Sequence, residues 1–325
     1  MNLSWLDDFL ALAASGNFSR AAEERHMTQP AFSRRIRALE EWLGTDLFDR
    51  SSQPARLTAA GEWFRDTAHE LMARVARVPG EARAAAEAHS TTLRFAATHA
   101  LSFTFLTGWL HGLESRTAMG PITLVSDVLA RCESLLLESQ VQFVMCHAHP
   151  HSSSELLTQG HPFARVGSDM LVPVSAADAA GNARYRLDHG TPASPVPMLS
   201  YSVESGMGRI LREVRGAELE RCHVQSVFQA HLASVLRTMA LDGKGLAWLP
   251  RTLIADDLSA GRLTPAASDE WCIAMEIRLY RDKSRLGQAA EDFWAAVLAT
   301  STQCGFSPSS LPACGPSHAC APGSG

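Results

Sequence analysis

The chain has 325 residues, of which 46% are hydrophobic and 19% are charged, and this composition excludes a chain that is disordered along its whole length. At roughly 100 to 200 residues per domain, its length predicts two or three compact units. The net charge of -5 excludes a uniformly basic nucleic-acid coat but allows a local basic surface that reads nucleic acid.

The location of the protein is predicted from its apolar runs and its first residues. Every apolar run is shorter than the roughly 18 to 20 residues that span a bilayer, and the start MNLSWLDDFL is acidic where a signal peptide is basic. The 7 cysteines are an odd number scattered along the chain, which favours reduced thiols over a disulfide framework. We therefore expect a soluble cytoplasmic protein with no membrane partner.

The first predicted element is a helix over about residues 3–15. Its large apolar side chains recur at helical spacing, and they are Trp5, Phe9 and Leu12. Either Asn2 or Ser4 is expected to cap its start. A second short helix follows in SRAAEERH, with Ser19 as the expected cap.

A third helix is predicted over TQPAFSRRIRALEEWLG, with Thr28 as its N-cap and Pro30 in its first turn. Its apolar residues share one face that turns inward, and they are Phe32, Ile36, Leu39 and Leu43. The open face then carries Gln29, Ser33, Arg34 and Arg37. Two short helices joined by a tight turn, the second with a cationic open face, are typical of a helix-turn-helix motif.

The segment DLFDRSSQPARLTAAG is rich in turn formers and predicts a two-stranded wing that lays Arg50 and Arg56 along DNA phosphates. This wing completes a DNA-binding domain over residues 1–60. The Ala-, Arg-, Glu- and Leu-rich residues 58–90 predict a long linker helix that stops or hinges at Pro79. Because its apolar stripe has little domain to bury it, we expect the helix to pair with a second copy.

Beyond residue 90, short apolar runs alternate with helical stretches, which predicts a mostly parallel sheet with helices on its faces. The runs divide into two lobes, one of about residues 91–165 with 268–302 and the other of about 166–267. A cleft between such lobes lies at the carboxyl ends of strands, where ligands bind. Residues 303–325 are rich in Pro, Ser, Gly and Cys and predict a disordered tail.

The run from WLDDFLALAASGNFSR to LTAAGEWF resembles the N-terminal domain of LysR-type transcriptional regulators, and the likeness continues to DGKGLAWLP at residues 242–250. The resemblance implies an α/β chain with an N-terminal winged helix-turn-helix, a long linker helix and a two-lobed, periplasmic-binding-protein-like effector domain. The expected partners are double-stranded promoter DNA, further copies in a homodimer, homotetramer or larger assembly, a small effector or oxidant, and RNA polymerase. We expect neither a cofactor nor enzymatic activity.

The same resemblance places part of the third helix in the major groove and gives nearby cations to the DNA backbone. The predicted DNA contacts are Ser19, Arg20, Thr28, Gln29, Pro30, Ser33, Arg34, Arg37, Arg50 and Arg56. Arg forms a fork with guanine and Gln with adenine, each giving about 1 to 3 kcal/mol of discrimination, whereas phosphate contacts mainly position the protein. The alternative is a solvated charged face on an ordinary helical domain.

Polar residues that follow two predicted strands indicate an effector pocket. They are Thr98, His99 and Ser102 in the first lobe, and Ser200, Tyr201 and Ser202 in the second. The first group lies at an expected helix N-terminus, where free amides favour an anion, so a small anionic or oxidant species would fit. The alternative is that these residues only cap and bond locally.

Three segments resemble the hypochlorite-responsive branch of the family, at residues 96–103, 199–211 and 239–250. The likeness implies that Met207, which matches a methionine of that branch, joins the effector site and switches by reversible thioether oxidation. Leu232 stands where another methionine is expected, so the pattern is incomplete.

The sequence CHAHPH offers an alternative function, because thiolate and imidazole are common metal ligands. Its candidate ligands are Cys146, His147, His149 and His151. A metal sensor, or a metal- or thiol-dependent enzyme, would use this cluster. However, a closed site usually needs a second pair of ligands, Pro150 indicates an irregular loop, and no catalytic triad or phosphate loop is visible.

Overall fold

The computed structural model describes most of the chain, namely residues 2–49, 51, 54–86, 91–114, 117, 119–284 and 286–303. The chain divides into two compact units between Pro79 and Gly80. In the described ranges, no helix has both the length and the apolar character that a bilayer crossing requires. The predicted role of Arg50 and the predicted disorder of residues 304–325 lie outside these ranges.

The first unit combines helices with a two-stranded hairpin. Its elements are α1 (Ser4–Ser15), α2 (Phe18–Glu24), α3 (Gln29–Leu43), β1 (Phe48–Asp49), β2 (Arg56–Leu57) and the first part of α4 (Ala59–Ala86). The Phe9 ring lies in the core, 5.4 Å from the Phe48 ring and 4.9 Å from the Phe64 ring between centroids. β1 and β2 pair antiparallel, which confirms the hairpin predicted after the third helix.

The start of α2 differs from the prediction that Ser19 caps it. The side-chain oxygen of Asn17 accepts hydrogen bonds from the backbone amides of Ser19 and Arg20, at 2.9 and 3.1 Å. Asn17 has the extended backbone of an N-cap, and its short side chain reaches the second and third helical amides. Ser19 lies two residues later, inside the helix, and its own amide is one of those that Asn17 caps. Thr28 does precede α3 in an extended conformation, but its side chain makes no capping bond.

The linker helix was predicted to stop or hinge at Pro79, and it does not stop there, because α4 continues through Pro79 to Ala86. Proline removes one backbone hydrogen bond inside a helix. The flanking stretches ARVARV and EARAAA consist mainly of strong helix formers, which keep the chain helical on both sides.

The second unit is built on a large sheet and a smaller one. The large sheet contains β3 (Leu93–Thr98), β4 (Ile122–Asp127), β5 (Phe143–Ala148), β6 (Phe163–Ala176), β9 (Ala247–Pro250), β10 (Leu263–Pro265) and β11 (Ile273–Arg281). Its strand order is β10-β6-β11-β5-β3-β4, and β9 also pairs with β6. The small sheet pairs β7 (Val196–Tyr201) with β8 (Val224–Ala230) in parallel.

The helices of the second unit alternate with these strands along the chain. They are α5 (His99–Thr104), α6 (Leu106–Glu114), α7 (Leu129–Leu137), α8 (Glu155–Thr158), α9 (Gly206–Leu219), α10 (Ala233–Leu241), α11 (Arg251–Ser259) and α12 (Gln288–Gln303). Two short 3-10 helices cover Leu187–His189 and Asp269–Trp271.

The large sheet is not mostly parallel, which corrects the sequence-based expectation. Only the pairings of β3 with β4 and with β5 are parallel, whereas β6 and β11 pair antiparallel with each of their neighbours. The reason is that the chain leaves the elements β3–β5 along β6 and returns to them along β11, so these two strands run in opposite directions. Alternating strands and helices in a sequence do not reveal such a return strand.

The strands β6 and β11 connect two sets of cores. Leu171 of β6 and Met275 of β11 belong to the core around Trp248, whereas Ala164 and Ile277 belong to the core around Phe95, Phe143 and Phe293. A further core on the other face of β3 and β5 contains Val144 and Tyr280. We call the elements around Phe143 the first lobe (β3–β5, α5–α8 and α12) and those around Trp248 the second lobe (β7–β10 and α9–α11).

Candidate functional site

The open face of α3 carries most of the predicted DNA contacts. Phe32, Ile36 and Leu39 are fully buried and hold the opposite face of the helix against the core. On the open face, Thr28, Gln29, Pro30, Arg34 and Arg37 are exposed, and Ser33 is half-buried. Ser19, Arg20 and Arg56 are also exposed. Amide, hydroxyl and guanidinium groups at successive helical turns are suited to reading base edges in a major groove.

A buried carboxylate that the sequence analysis missed holds the helix-turn-helix together. The Asp8 side chain is only 1% exposed and pairs with Arg25 at 2.9 Å and with Arg35 at 2.8 Å. Arg25 ends α2 and Arg35 belongs to α3, so one carboxylate ties both helices to α1. Arg35 therefore faces inward, unlike Arg34. The signal was present, because residue 8 lies on the same face of α1 as the apolar residues 5, 9 and 12.

A second buried carboxylate joins α3 to the hairpin. The Glu40 side chain accepts hydrogen bonds from the backbone amides of Leu47 and Phe48, at 2.9 and 3.2 Å. Thr58 donates from its hydroxyl to the Asp46 carbonyl, at 2.8 Å, at the end of the hairpin. These bonds fix where the chain enters and leaves the hairpin that carries Arg56.

The second unit contains a cleft to which both lobes contribute. Its lining residues are Thr98, His99, Ala100, Asp127, Val128, Leu129, His147, Ser205, Gly206, Met207, His231, Leu232 and Ala233. The empty space, with its open mouth, is about 420 Å³. The lining includes the first residues of α5, α7, α9 and α10, whose backbone amides lack intrahelical acceptors. Such helix starts favour anionic groups.

Three of the predicted effector residues line this cleft, namely Thr98, His99 and Met207. The other four do not, which corrects the prediction. Ser102 is buried within α5 and donates to the Thr98 carbonyl at 3.3 Å. The Tyr201 side chain lies in the core of the second lobe and donates to the Trp248 carbonyl at 2.9 Å.

Ser200 and Ser202 also lie outside the lining of the cleft. The reason is the turn between β7 and α9, because the chain reaches the cleft only at the start of the helix. Ser205 provides the N-cap there, and its hydroxyl accepts a hydrogen bond from the Gly208 amide at 3.3 Å. Ser200 and Tyr201 are still part of β7, so the residues that reach the cleft come after the turn.

The sequence analysis missed several lining residues, although it expected the cleft at the carboxyl ends of strands and these residues lie there. Asp127 is the last residue of β4, His147 is the penultimate residue of β5, and His231 follows β8 directly. Applying that expectation to every strand of the unit would have found these three. The His99 and His231 rings approach to 6.4 Å between centroids, and the His99 Nδ1 lies 3.0 Å from the Ser126 hydroxyl.

His147 belongs to a buried polar chain behind the cleft. Its Nε2 lies 3.1 Å from the Asp169 Oδ2, and both side chains are almost fully buried. Asp169 also accepts hydrogen bonds from the Met170 amide at 2.7 Å and from the Thr252 hydroxyl and amide, at 2.6 and 3.2 Å. Burial alone raises the pKa of Asp169, but the bonds from His147, Thr252 and Met170 outweigh it and hold the pKa below its ordinary value.

The CHAHPH cluster does not converge. Cys146 and His147 are consecutive on β5, so their side chains leave opposite faces of the strand. Burial raises the pKa of the Cys146 thiol, which disfavours the thiolate that a metal needs. His149 and His151 lie beyond the strand, and the His151 amide donates to the His149 ring at 3.1 Å. Over the described part of the chain, no three His, Cys, Asp or Glu side chains are placed to hold a metal ion.

Two family models match the chain over most of its length. Residues 3–62 match the bacterial regulatory helix-turn-helix protein, lysR family, and residues 86–302 match the LysR substrate binding domain. The chain is also similar to the HTH-type transcriptional regulator YjiE of Escherichia coli (strain K12). The two are 33% identical over 296 residues, which cover 89% of this chain and 92% of that relative.

Two solved structures of regulators have a similar fold, and the first is described as full-length. One is HypT of Salmonella typhimurium, described as a hypochlorite-specific LysR-type transcriptional regulator, with 31% identity and a TM-score of 0.54 over 93% of this chain and 99% of that one. The other is DarR of Vibrio fischeri in complex with DNA, with 28% identity and a TM-score of 0.53 over 91% of this chain and 98% of that one.

Proposed function

Because the chain belongs to the LysR family of DNA-binding transcriptional regulators and is not an enzyme, we propose how it reads DNA and what it senses. It reads promoter DNA through the open face of α3 and responds to a small anionic effector in the cleft. In this proposal the protein acts in the cytoplasm, where promoter DNA lies.

The observation that supports DNA reading is the division of α3 into two faces. Its apolar face is buried in the core, whereas Gln29 and Arg34 are exposed on the other face. In this proposal Gln29, Ser33 and Arg34 contact base edges, Thr28 and Pro30 approach the groove at the start of the helix, and Arg37 contacts a phosphate. Ser19 and Arg20 of α2 and Arg56 of the hairpin contact the DNA backbone, and the same role is proposed for Arg50.

The stretch of α4 that precedes Pro79 supports assembly of two copies. Leu71, Val75 and Val78 are 37%, 37% and 50% exposed, and their spacing places them on one face of the helix. A second copy would cover this stripe. Two DNA-binding domains in one assembly raise affinity for a site with two half-sites through effective concentration.

The proposed groove contact is tested with Arg34→Ala, which we expect to weaken binding to the promoter site by about 1 to 3 kcal/mol and to relax its base preference. The matched control is Arg221→Ala, which removes an exposed cation from the second unit. Binding is measured by fluorescence anisotropy at several salt concentrations, and folding by circular dichroism. Unchanged affinity and base preference in a folded Arg34→Ala protein would refute the assignment of α3 to the groove.

The observation that supports an anionic effector is the set of helix starts that meet histidines in the cleft. α9 and α10 both begin in its wall, where His99 and His231 also lie. Helix amides and imidazoles both donate hydrogen bonds to anions. The effector would change how the two lobes close and thereby the affinity for DNA.

A second candidate signal is an oxidant such as hypochlorite, because Met207 lies in the wall of the same cleft. Its sulfur is 3.6 Å from the Tyr201 hydroxyl, and the residue is only 8% exposed. Oxidation would place a polar sulfoxide oxygen at the edge of the second-lobe core. Leu232 lines the cleft as well and offers no thioether there.

The oxidant hypothesis predicts that Met207→Ile abolishes the change in DNA binding that hypochlorite causes. Met239→Ile, which changes a partly buried methionine outside the cleft lining, is the control and is expected to keep the response. Modified residues are mapped by mass spectrometry before and after treatment. A full response of the Met207→Ile protein would rule out this switch.

A further inference from the structure

Two buried polar atoms in the wall of the cleft have no hydrogen-bond partner among the residues that the structure describes. They are the Thr98 hydroxyl oxygen, at the end of β3, and the His147 Nδ1, near the end of β5. The His147 side chain is only 3% exposed, so solvent does not readily serve it. Buried polar atoms nearly always have partners, and both residues line the same cavity, so a ligand is the natural partner for both.

The hydrogen-bonding role of the His147 Nδ1 follows from the contact that the Nε2 makes with Asp169. Asp169 accepts four hydrogen bonds and has a lowered pKa, so it is ionised and offers only acceptors to the His147 Nε2. The Nε2 must therefore carry the hydrogen that Asp169 accepts. In the neutral imidazole, Nδ1 is then a lone pair that accepts a hydrogen bond.

The opposite side of the cleft offers donors. α7 already has an acidic group at its start, because the Asp127 carboxylate accepts a hydrogen bond from the Val128 amide at 2.7 Å. The starts of α9 and α10, in the second lobe, have no acidic residue in their first turns. An anionic group is thus favoured at the second-lobe wall. The first-lobe wall contains a hydrogen-bond acceptor, the His147 Nδ1.

We propose that the cleft selects a small carboxylate that carries a hydrogen-bond donor on the carbon next to the carboxylate. The carboxylate meets the amides at the starts of α9 and α10, and the donor hydrogen meets the His147 Nδ1, with the Thr98 hydroxyl beside it. Leu129, Leu232 and Ala233 also line the cleft and would contact an apolar part of the ligand. This inference rests on the proposed effector role of the cleft and adds the class of ligand, a 2-hydroxy or 2-amino carboxylate.

Three probes of nearly equal size separate the binding of the carboxylate from the binding of the donor group on the neighbouring carbon. Propionate has a methyl group, glycolate a hydroxyl group and glycine an ammonium group on the carbon next to the carboxylate. Their affinities for the full chain are measured by isothermal titration calorimetry or, if weak, by ligand-observed NMR. We expect glycolate or glycine to bind about tenfold or more tightly than propionate, because propionate leaves the His147 Nδ1 without a partner.

The difference between glycolate and glycine identifies the donor. Tighter binding of glycolate assigns the site to a hydroxyl group, and tighter binding of glycine assigns it to an ammonium group. Equal affinity of all three probes overturns the inference while leaving an anion site in place. Absence of binding by glycolate and glycine also overturns it, and if bromide and phosphate fail to bind as well, the effector role of the cleft fails with it.

Two variants test whether His147 makes the distinction. His147→Phe keeps the ring shape without nitrogen and is expected to reduce the preference over propionate to less than about twofold. Asp169→Asn removes the charge that fixes the tautomer of His147. We expect it to weaken the preference for glycolate or glycine over propionate although the imidazole is still present. His149→Phe, a histidine outside this cavity, is the control. A preference that survives in both folded variants assigns the selectivity to other groups and overturns the role of His147.

Discussion

Two buried carboxylates, Asp8 and Glu40, hold in place the elements that carry the proposed DNA contacts. Arg34 and Arg35 are neighbours in sequence, but only Arg35 is drawn inward, because Asp8 lies in the core beneath it at 2.8 Å. Glu40 has a similar supporting role for the hairpin. A charged residue on the apolar face of a helix thus has a structural role here, and it orients neighbours that we propose to contact DNA.

At the residue scale, we predict that Asp8→Ala lowers the free energy of unfolding of the first unit by about 2 to 3 kcal/mol. The loss stays in this range because Arg25 and Arg35 are about one third exposed and water partly replaces their partner. The control is Asp7→Ala, whose carboxylate is 39% exposed, with an expected loss below about 1 kcal/mol. Chemical denaturation gives both values, and equal losses would contradict the supporting role of Asp8.

For whole helices and strands, the local sequence pattern predicts some features of the structure correctly and others incorrectly. The apolar spacing of α3 predicted both its extent and its buried face, because a helix on a small core must turn one stripe inward. The course of α4 could not be predicted from Pro79 alone, since the propensity of the flanking residues outweighed one missing bond. The antiparallel placement of β6 and β11 depends on chain direction, which no local pattern encodes.

At the element scale, Val75→Asp places a charge in the middle of the exposed stripe of α4. Burying that charge against a second copy is unfavourable, so the dimer dissociation constant should rise about tenfold or more. Ala73→Asp puts the same charge on the opposite face of the helix and should leave the constant nearly unchanged. Sedimentation velocity over a concentration series measures both. Equal behaviour of the two variants would show that another surface joins the copies.

At the scale of the whole molecule, regulation requires that the effector cleft and the DNA-binding domain influence each other. The two lobes that form the cleft are also joined beside it by an ion pair between Glu133 and Arg209, at 3.3 Å. Burial raises the pKa of Glu133, although Arg209 opposes this effect. A ligand that changes lobe closure must therefore also act on a partly buried ion pair, which favours discrete over gradual rearrangement.

We predict a reciprocal coupling between DNA and effector for the full chain. If glycolate changes the affinity for promoter DNA by some factor, promoter DNA must change the affinity for glycolate by the same factor, because the two form a thermodynamic cycle. The expected factor is about 5 to 150. Anisotropy titrations with and without glycolate, and the converse calorimetric titrations with and without DNA, measure it. Ligand binding that leaves DNA affinity unchanged would show that the cleft does not regulate promoter binding.

The sequence by itself determined the local elements and the family. Helical spacing, turn formers and a continuous run of family-like residues depend on neighbours along the chain, so they established the helix-turn-helix, the hairpin and the presence of a two-lobed effector domain. The same local rule located Thr98 and His99, because each follows or ends a strand whose apolar run is visible.

Only the tertiary structure decided which side chains meet. Tyr201 and Met207 are six positions apart, yet one enters the core and the other reaches the cleft, because the turn before α9 sets their directions. The His147 Nε2 has a carboxylate partner only because Asp169, 22 positions away in the sequence, lies beside the ring. Contacts between distant segments depend on how strands cross and pair in space, and a one-dimensional pattern does not contain that information.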